Sequence, residues 1–139
     1  MSIFSSHFNA LDRYLRRCRR EYMAPLGLKG IHARLFLSIC RSPGSSQDQL
    51  AKRLWSDKST ITRQMELLES KGYVTRTPSQ TDKRMLCVYP TQLMLDFTEG
   101  LRKATEEWER TLLQDLSEDE REQLNSLLQR VHARVNKEA

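Results

Sequence analysis

Ser59, Thr60, Thr62, Arg63 and Gln64 crowd one short stretch of the chain, and Asp82, Lys83 and Arg84 crowd another. Hydroxyls and side-chain amides bond phosphate oxygens, and an arginine fork meets the O6 and N7 edge of guanine through two parallel hydrogen bonds. Such groups recognise a polyanion; they do not by themselves make or break bonds. The partners that catalysis would need are missing. There is no Gly-rich phosphate loop, no HExxH and no GxSxG, and His7, His32 and His132 lack the spacing of a metal site. Cys18, Cys40 and Cys87 are odd in number and form no CxxC pair, as expected of reduced thiols. No catalytic residue, metal site or cofactor is therefore expected.

The surrounding pattern says what holds these side chains. Asp57 suits the N-cap of a helix whose apolar residues are Ile61, Met65 and Leu68, and Gly72 suits its left-handed end. The polar group around Arg63 then occupies the first turns, off the apolar stripe. Ahead of it, Ser46 and Gln49 form a capping box for a short helix burying Leu50, Ala51 and Leu54. Two helices so closely joined make a helix-turn-helix. After Gly72 the period changes: Tyr73–Thr77 and Met85–Tyr89 are rich in β-branched and aromatic residues and read as a hairpin with the tip Pro78–Arg84.

Flanking this unit are longer helical patterns. Phe4, Phe8, Leu11, Leu15, Cys18 and Tyr22 form an apolar seam that Pro25-Leu26-Gly27 ends. A second helix carries Ile31, Leu35, Phe36, Ile39 and Cys40 and stops before Ser42-Pro43-Gly44. From Pro90-Thr91 a long helix carries Leu93, Phe97, Leu101, Ala104, Trp108 and Leu112, with Gly100 its weak point. A second capping box, Ser117 and Glu120, opens a last helix with Leu124, Leu127, Leu128, Val131 and Val135 on one side.

A helix-turn-helix followed directly by a hairpin is the winged-helix arrangement, in which the second helix enters the DNA major groove and the hairpin tip reaches backbone or minor groove. Taken singly, Arg63 and Arg84 are ordinary solvated cations. Their joint placement is what points to double-stranded DNA. The expected contacts are Ser59, Thr60, Thr62, Arg63, Gln64, Lys83 and Arg84, with Asp82 capping the tip while Arg84 projects into a narrow minor groove.

Asp57-Lys58-Ser59-Thr60-Ile61-Thr62-Arg63, then Leu68-Glu69-x-x-Gly72-Tyr73-Val74-x-Arg76, then Asp82-Lys83-Arg84 resembles the MarR family of bacterial transcriptional regulators, as does Pro25-Leu26-Gly27-Leu28. The likeness runs from about residue 5 to 137. Where the family commonly has Leu-Thr and then a Gly, this chain has Pro90-Thr91 and Met94. The resemblance implies a mainly α fold, a winged helix-turn-helix with a two-stranded wing and an all-helical dimerisation lobe, working as a homodimer on a palindrome. The division expected is one domain over residues 1–139, with dimerisation helices at 1–24 and 117–139, the winged helix-turn-helix at 46–90 and a connecting helix at 91–116. Phe4, Phe8, Leu11, Leu124, Leu128 and Val131 are the expected dimer contacts.

Length and charge agree with this reading. The 139 residues suit one domain, and 38% apolar content suffices for one core. Residues 1–40 hold seven Lys and Arg against two Asp and Glu, residues 41–90 nine against five, and residues 91–139 seven against eleven. A basic front asks for an anionic partner, while the acidic tail suits solvent or ion pairs with the first helix. No stretch is apolar enough to span a bilayer, and a cytoplasmic location without membrane contact is expected. A small anionic or phenolic effector is expected in a crevice lined by Leu15, Cys18, His32, Phe36 and Trp55. Two other readings stay open: a thiol sensor in which Arg17 and Arg19 activate Cys18, and a winged helix that binds protein instead of DNA. The second would need apolar anchors on the helix and tip, which are polar here.

Overall fold

Local capping sets most of the element boundaries. In a computed structural model that describes residues 2–138, helix α1 (Ile3–Met23) starts where the Ser2 hydroxyl accepts from Ser5 N–H. A 3-10 turn (Ala24–Leu26) ends it and leads to α2 (Gly30–Arg41). Strand β1 (Ser45–Ser46) precedes α3 (Gln47–Arg53), whose Ser46 and Gln49 form the expected capping box at 3.1 and 2.9 Å. Then come α4 (Lys58–Ser70), β2 (Val74–Pro78), β3 (Leu86–Pro90), α5 (Gln92–Leu112) and α6 (Glu118–Glu138).

The strands form an antiparallel sheet in the order β1-β3-β2, with Arg76 opposite Val88 and Ser46 opposite Cys87. Both wing strands begin one residue later than the β-branched runs suggest. Tyr73 N–H returns to Leu68 O (2.9 Å) and Gly72 N–H to Glu69 O (3.1 Å), so with Gly72 at φ +83° these residues close α4 before the ladder starts. Met85 N–H likewise bonds Asp82 O (3.0 Å) and belongs to the tip.

Two compact units result, one up to Ala104 and one from Thr105 onward. The first holds the core: Met23, Leu35, Phe36, Ile39, Leu50, Ile61, Met65, Leu68, Val74, Val88, Met94 and Leu101 are buried. Phe36 packs its ring 4.9 Å from Tyr73 and 5.6 Å from Phe97. On α5 the buried residues are Met94, Thr98 and Leu101, whereas Leu93, which the apolar spacing places in the seam, is exposed. Gly100 is the point where α5 passes Tyr22: a Cβ there would lie 3.0 Å from the tyrosine hydroxyl. Leu54, expected to be buried with Leu50 and Ala51, is only half-buried at the C-cap of α3.

In the second unit the end of α5 turns into α6 through the Ser117–Glu120 capping box (2.9 and 3.2 Å), and Arg121 Nε donates to Leu113 O. Leu127, Leu128, Val131 and Val135 are exposed along α6, and on α1 Ile3, Phe4, Phe8 and Leu11 are exposed as well. No helix among the described residues is long and apolar enough to cross a membrane.

Candidate nucleic-acid interface

Helix α4 is anchored on one side and presented on the other. Ile61, Met65 and Leu68 are buried, while Lys58, Ser59, Arg63 and Glu66 are exposed. Its first turn is set by Asp57, whose carboxylate accepts from Thr60 N–H at 2.7 Å. That backbone bond and the Thr60 hydroxyl hold the Asp57 carboxyl below the usual range. The cap leaves Ser59 facing solvent and places Arg63 one turn on, its guanidinium 3.4 Å from Thr60 Oγ1.

Two other polar residues of α4, Thr62 and Gln64, are half-buried and bonded within the protein. Thr62 Oγ1 accepts from Gln47 Nε2 (3.1 Å), and Gln47 Oε1 accepts from Arg76 (3.2 Å). Arg76 also bonds Glu69 at 3.0 Å, and this bond lowers the Glu69 carboxyl from its ordinary value. One network thus ties α3, α4 and β2 together. Gln64 is committed too: its Oε1 meets His32 Nε2 at 2.5 Å. Of the five polar residues expected to contact DNA from α4, Ser59 and Arg63 are exposed, Thr60 is half-buried beside Arg63, and Thr62 and Gln64 hold partners within the protein.

The wing tip is built around one carboxylate. Asp82 Oδ1 accepts from Arg84 N–H (3.0 Å), and Ser79 N–H bonds Met85 O (2.8 Å), which together close the turn. The Arg84 Nε lies 3.5 Å from the same oxygen, yet the side chain is 94% exposed. Lys83 is exposed beside it.

The five residues expected to line one effector crevice are not brought together. Phe36 is sealed in the core and His32 is buried between Gln64 and the backbone of Lys29. Trp55 lies on the turn between α3 and α4, 64% exposed and at φ +52°, a left-handed conformation rare for a bulky residue. Leu15 and Cys18 are half-buried on α1. A cavity of about 740 Å³ does lie between α1 and α2, but its walls are Asp12, Arg16, Arg19, Arg20, Ala24, Leu28, Lys29, Gly30, Ile31 and Arg34. Burial and then the Arg34 charge depress the Arg19 guanidinium from its ordinary value, and Arg16 pairs with Asp12 at 2.7 Å.

Sequence reasoning missed the clamp on Gln64, the Gln47–Arg76–Glu69 network and the cationic cavity. Arg76 and Glu69 were visible as motif residues, but their pairing depends on β2 crossing α4. The three cysteines are free thiols. Cys40 bonds Thr98 Oγ1 at 3.4 Å, and burial pushes its thiol up, away from the reactive thiolate.

Comparison with known proteins reaches the same architecture. The model of the MarR family matches residues 26–85. The HTH-type transcriptional regulator BilQ of Clostridium symbiosum is 32% identical over 93 residues, which span 67% of this chain and 65% of that protein. A crystal structure of MarR superposes with a TM-score of 0.87 at 26% identity, covering 99% of this chain and 92% of that one. A mutant MarR from E. coli complexed with operator DNA gives 0.78 at 25% identity over 94% of this chain and 99% of that one. With the winged helix-turn-helix in place, the family model over residues 26–85 and these relatives make the chain similar to the MarR family of transcriptional regulators.

Proposed function

We propose that the protein binds a pseudo-palindromic operator as a homodimer, represses transcription by occupying it, and is released by a small anionic or phenolic effector. The observation that carries the DNA reading is the pairing of two exposed cations on fixed supports. Arg63 stands one turn into a capped, packed helix, and Arg84 stands on a tip closed by Asp82. In the major groove, α4 would offer Arg63 to a base edge and Ser59 to phosphate, while Arg84 would follow the minor groove. The solved complex of an E. coli relative with operator DNA supports the same use of the fold.

Exposed apolar residues on α1 and α6 support the dimer, since Phe4, Phe8 and Leu11 on one helix and Leu127, Leu128 and Val131 on the other lack cover. The cationic cavity between α1 and α2 is the better-supported place for an anionic effector than the crevice inferred from sequence. A regulator of this kind works in the cytoplasm, where the DNA is.

The test is selection of bound duplexes from a random pool, followed by anisotropy titration at two salt concentrations. An enriched inverted repeat with half-sites about 10 bp apart is expected. Recovery of no preferred sequence, with binding indifferent to salt, would overturn the reading.

A further inference from the structure

His32 is a fully buried imidazole whose two nitrogens face two different elements. Lys29 N–H donates to Nδ1 at 2.8 Å, so Nδ1 carries no proton. The ring's proton therefore sits on Nε2 and is donated to Gln64 Oε1 at 2.5 Å. One bond completes the first turn of α2; the other reaches across to α4. Gln64 directly follows Arg63, and adjacent residues of a helix are separated by a fixed rotation of about 100°. Holding the Gln64 side chain against α2 therefore adds a polar restraint to the roll of α4 already set by the buried Ile61, Met65 and Leu68, and so to the direction in which Arg63 leaves the protein.

We propose that His32 is a positioning residue for operator recognition: its neutral imidazole links Gln64 of α4 to the head of α2, and protonation breaks that link at the Lys29 N–H while the bond to Gln64 remains. This rests on the DNA-binding reading above. An imidazolium has two donors and no acceptor, so it would set an N–H against the Lys29 N–H. Burial is the main cause that disfavours charge on the ring. The bond to Gln64 opposes it, and the charged groups acting on the ring, Lys29 at the head of α2 and Lys71 at the end of α4, are both cations and leave the balance toward the neutral form. Protonation is therefore costly in the linked arrangement and favours any arrangement in which the ring reaches water.

The experiment measures operator affinity by anisotropy from pH 5.5 to 8.0 at constant ionic strength for the wild type, His32→Gln and His32→Leu. A glutamine can donate to Gln64 and accept from Lys29 N–H without titrating. The wild type should lose affinity on acidification by an amount on the order of tenfold. His32→Gln should hold near wild-type affinity with that step removed, and His32→Leu should bind weakly throughout while remaining folded by circular dichroism. His7 and His132 stay in place in every variant, so the difference between profiles isolates His32. Identical profiles for wild type and His32→Gln would overturn the proposal. So would nitrogen chemical shifts in the free protein showing the proton on Nδ1. Failure of the wild type to bind any duplex at pH 7.5 would instead overturn the regulator reading itself, and the nitrogen shifts would still decide whether the link exists.

Discussion

On the proposed operator, Arg63 and Arg84 would differ in what their surroundings let them read. Arg63 projects from a helix packed through Ile61, Met65 and Leu68, so its position is rigid enough to distinguish bases. Arg63→Ala should cost about 1–3 kcal/mol on the selected operator and relax the preference at one base pair. Arg84 stands almost wholly in solvent on a two-strand tip and should read charge and groove width instead. Its replacement by alanine should weaken binding to most duplexes alike and reduce the salt slope by about one. Equal losses for Arg63→Ala on cognate and random DNA would refute the division of labour. A third titratable residue links recognition to stability. The folded His32 has its pKa depressed, so the native state binds fewer protons than the unfolded one, and stability should rise with pH. The contribution is present above the unfolded value of about 6.5 and is lost as pH falls through it toward the folded value. Chemical denaturation at pH 5.5 and 7.5 should show this step in the wild type and a smaller one in His32→Gln.

At the level of elements, what could be read from the sequence was what neighbouring residues decide. Both capping boxes, the Asp57 cap and the left-handed Gly72 rest on groups a few residues apart, and all are present. What could not be read depends on distant partners. Strand β1 is two residues long and exists because Ser45 and Ser46 meet Val88 and Cys87. Thr62 and Gln64 carry the side chains of a DNA contact, and only the packing of α2, α3 and β2 against α4 turns them inward. On α5 the apolar spacing through Leu93 competes with a parallel stripe through Met94 and Thr98, and contact with the core selects the latter. Trp55 shows the same limit, since its exposure follows from a left-handed turn that no aromatic residue announces. Ser46 serves as both strand residue and helix cap. Ser46→Ala should therefore cost about 0.5–2 kcal/mol by denaturant titration, near the upper end because the site is buried. A cost below the measurement error would show that the cap contributes little.

For the whole molecule, the question is what covers the apolar residues that the folded chain leaves in water. Phe4 and Phe8 stack 4.7 Å apart on α1 without further burial, and none of the residues described on α6 is buried. A helix with Leu127, Leu128, Val131 and Val135 exposed gains little from its own unit, because most helical stability in proteins comes from packing an amphipathic face. Homodimerisation would bury such residues at about 1.5–3 kcal/mol for each side chain fully covered. The opposite charge balance of residues 1–40 and 91–139 would add mainly to register and partner choice, since exposed ion pairs contribute only about 0–1 kcal/mol each. The two contributions can be separated. Val131→Asp places a carboxylate in the seam without touching the winged helix, and light scattering at micromolar concentration should then report a monomer. Raising salt on the wild type should leave the dimer intact, because apolar burial is not screened. In the wild type the thermal transition should rise with protein concentration, and in Val131→Asp it should be lower and independent of concentration. Operator binding by the variant should fall to the affinity of a single half-site. A dimer that survives Val131→Asp but dissociates in salt would show that charge, and not the exposed apolar seam, holds the two copies together.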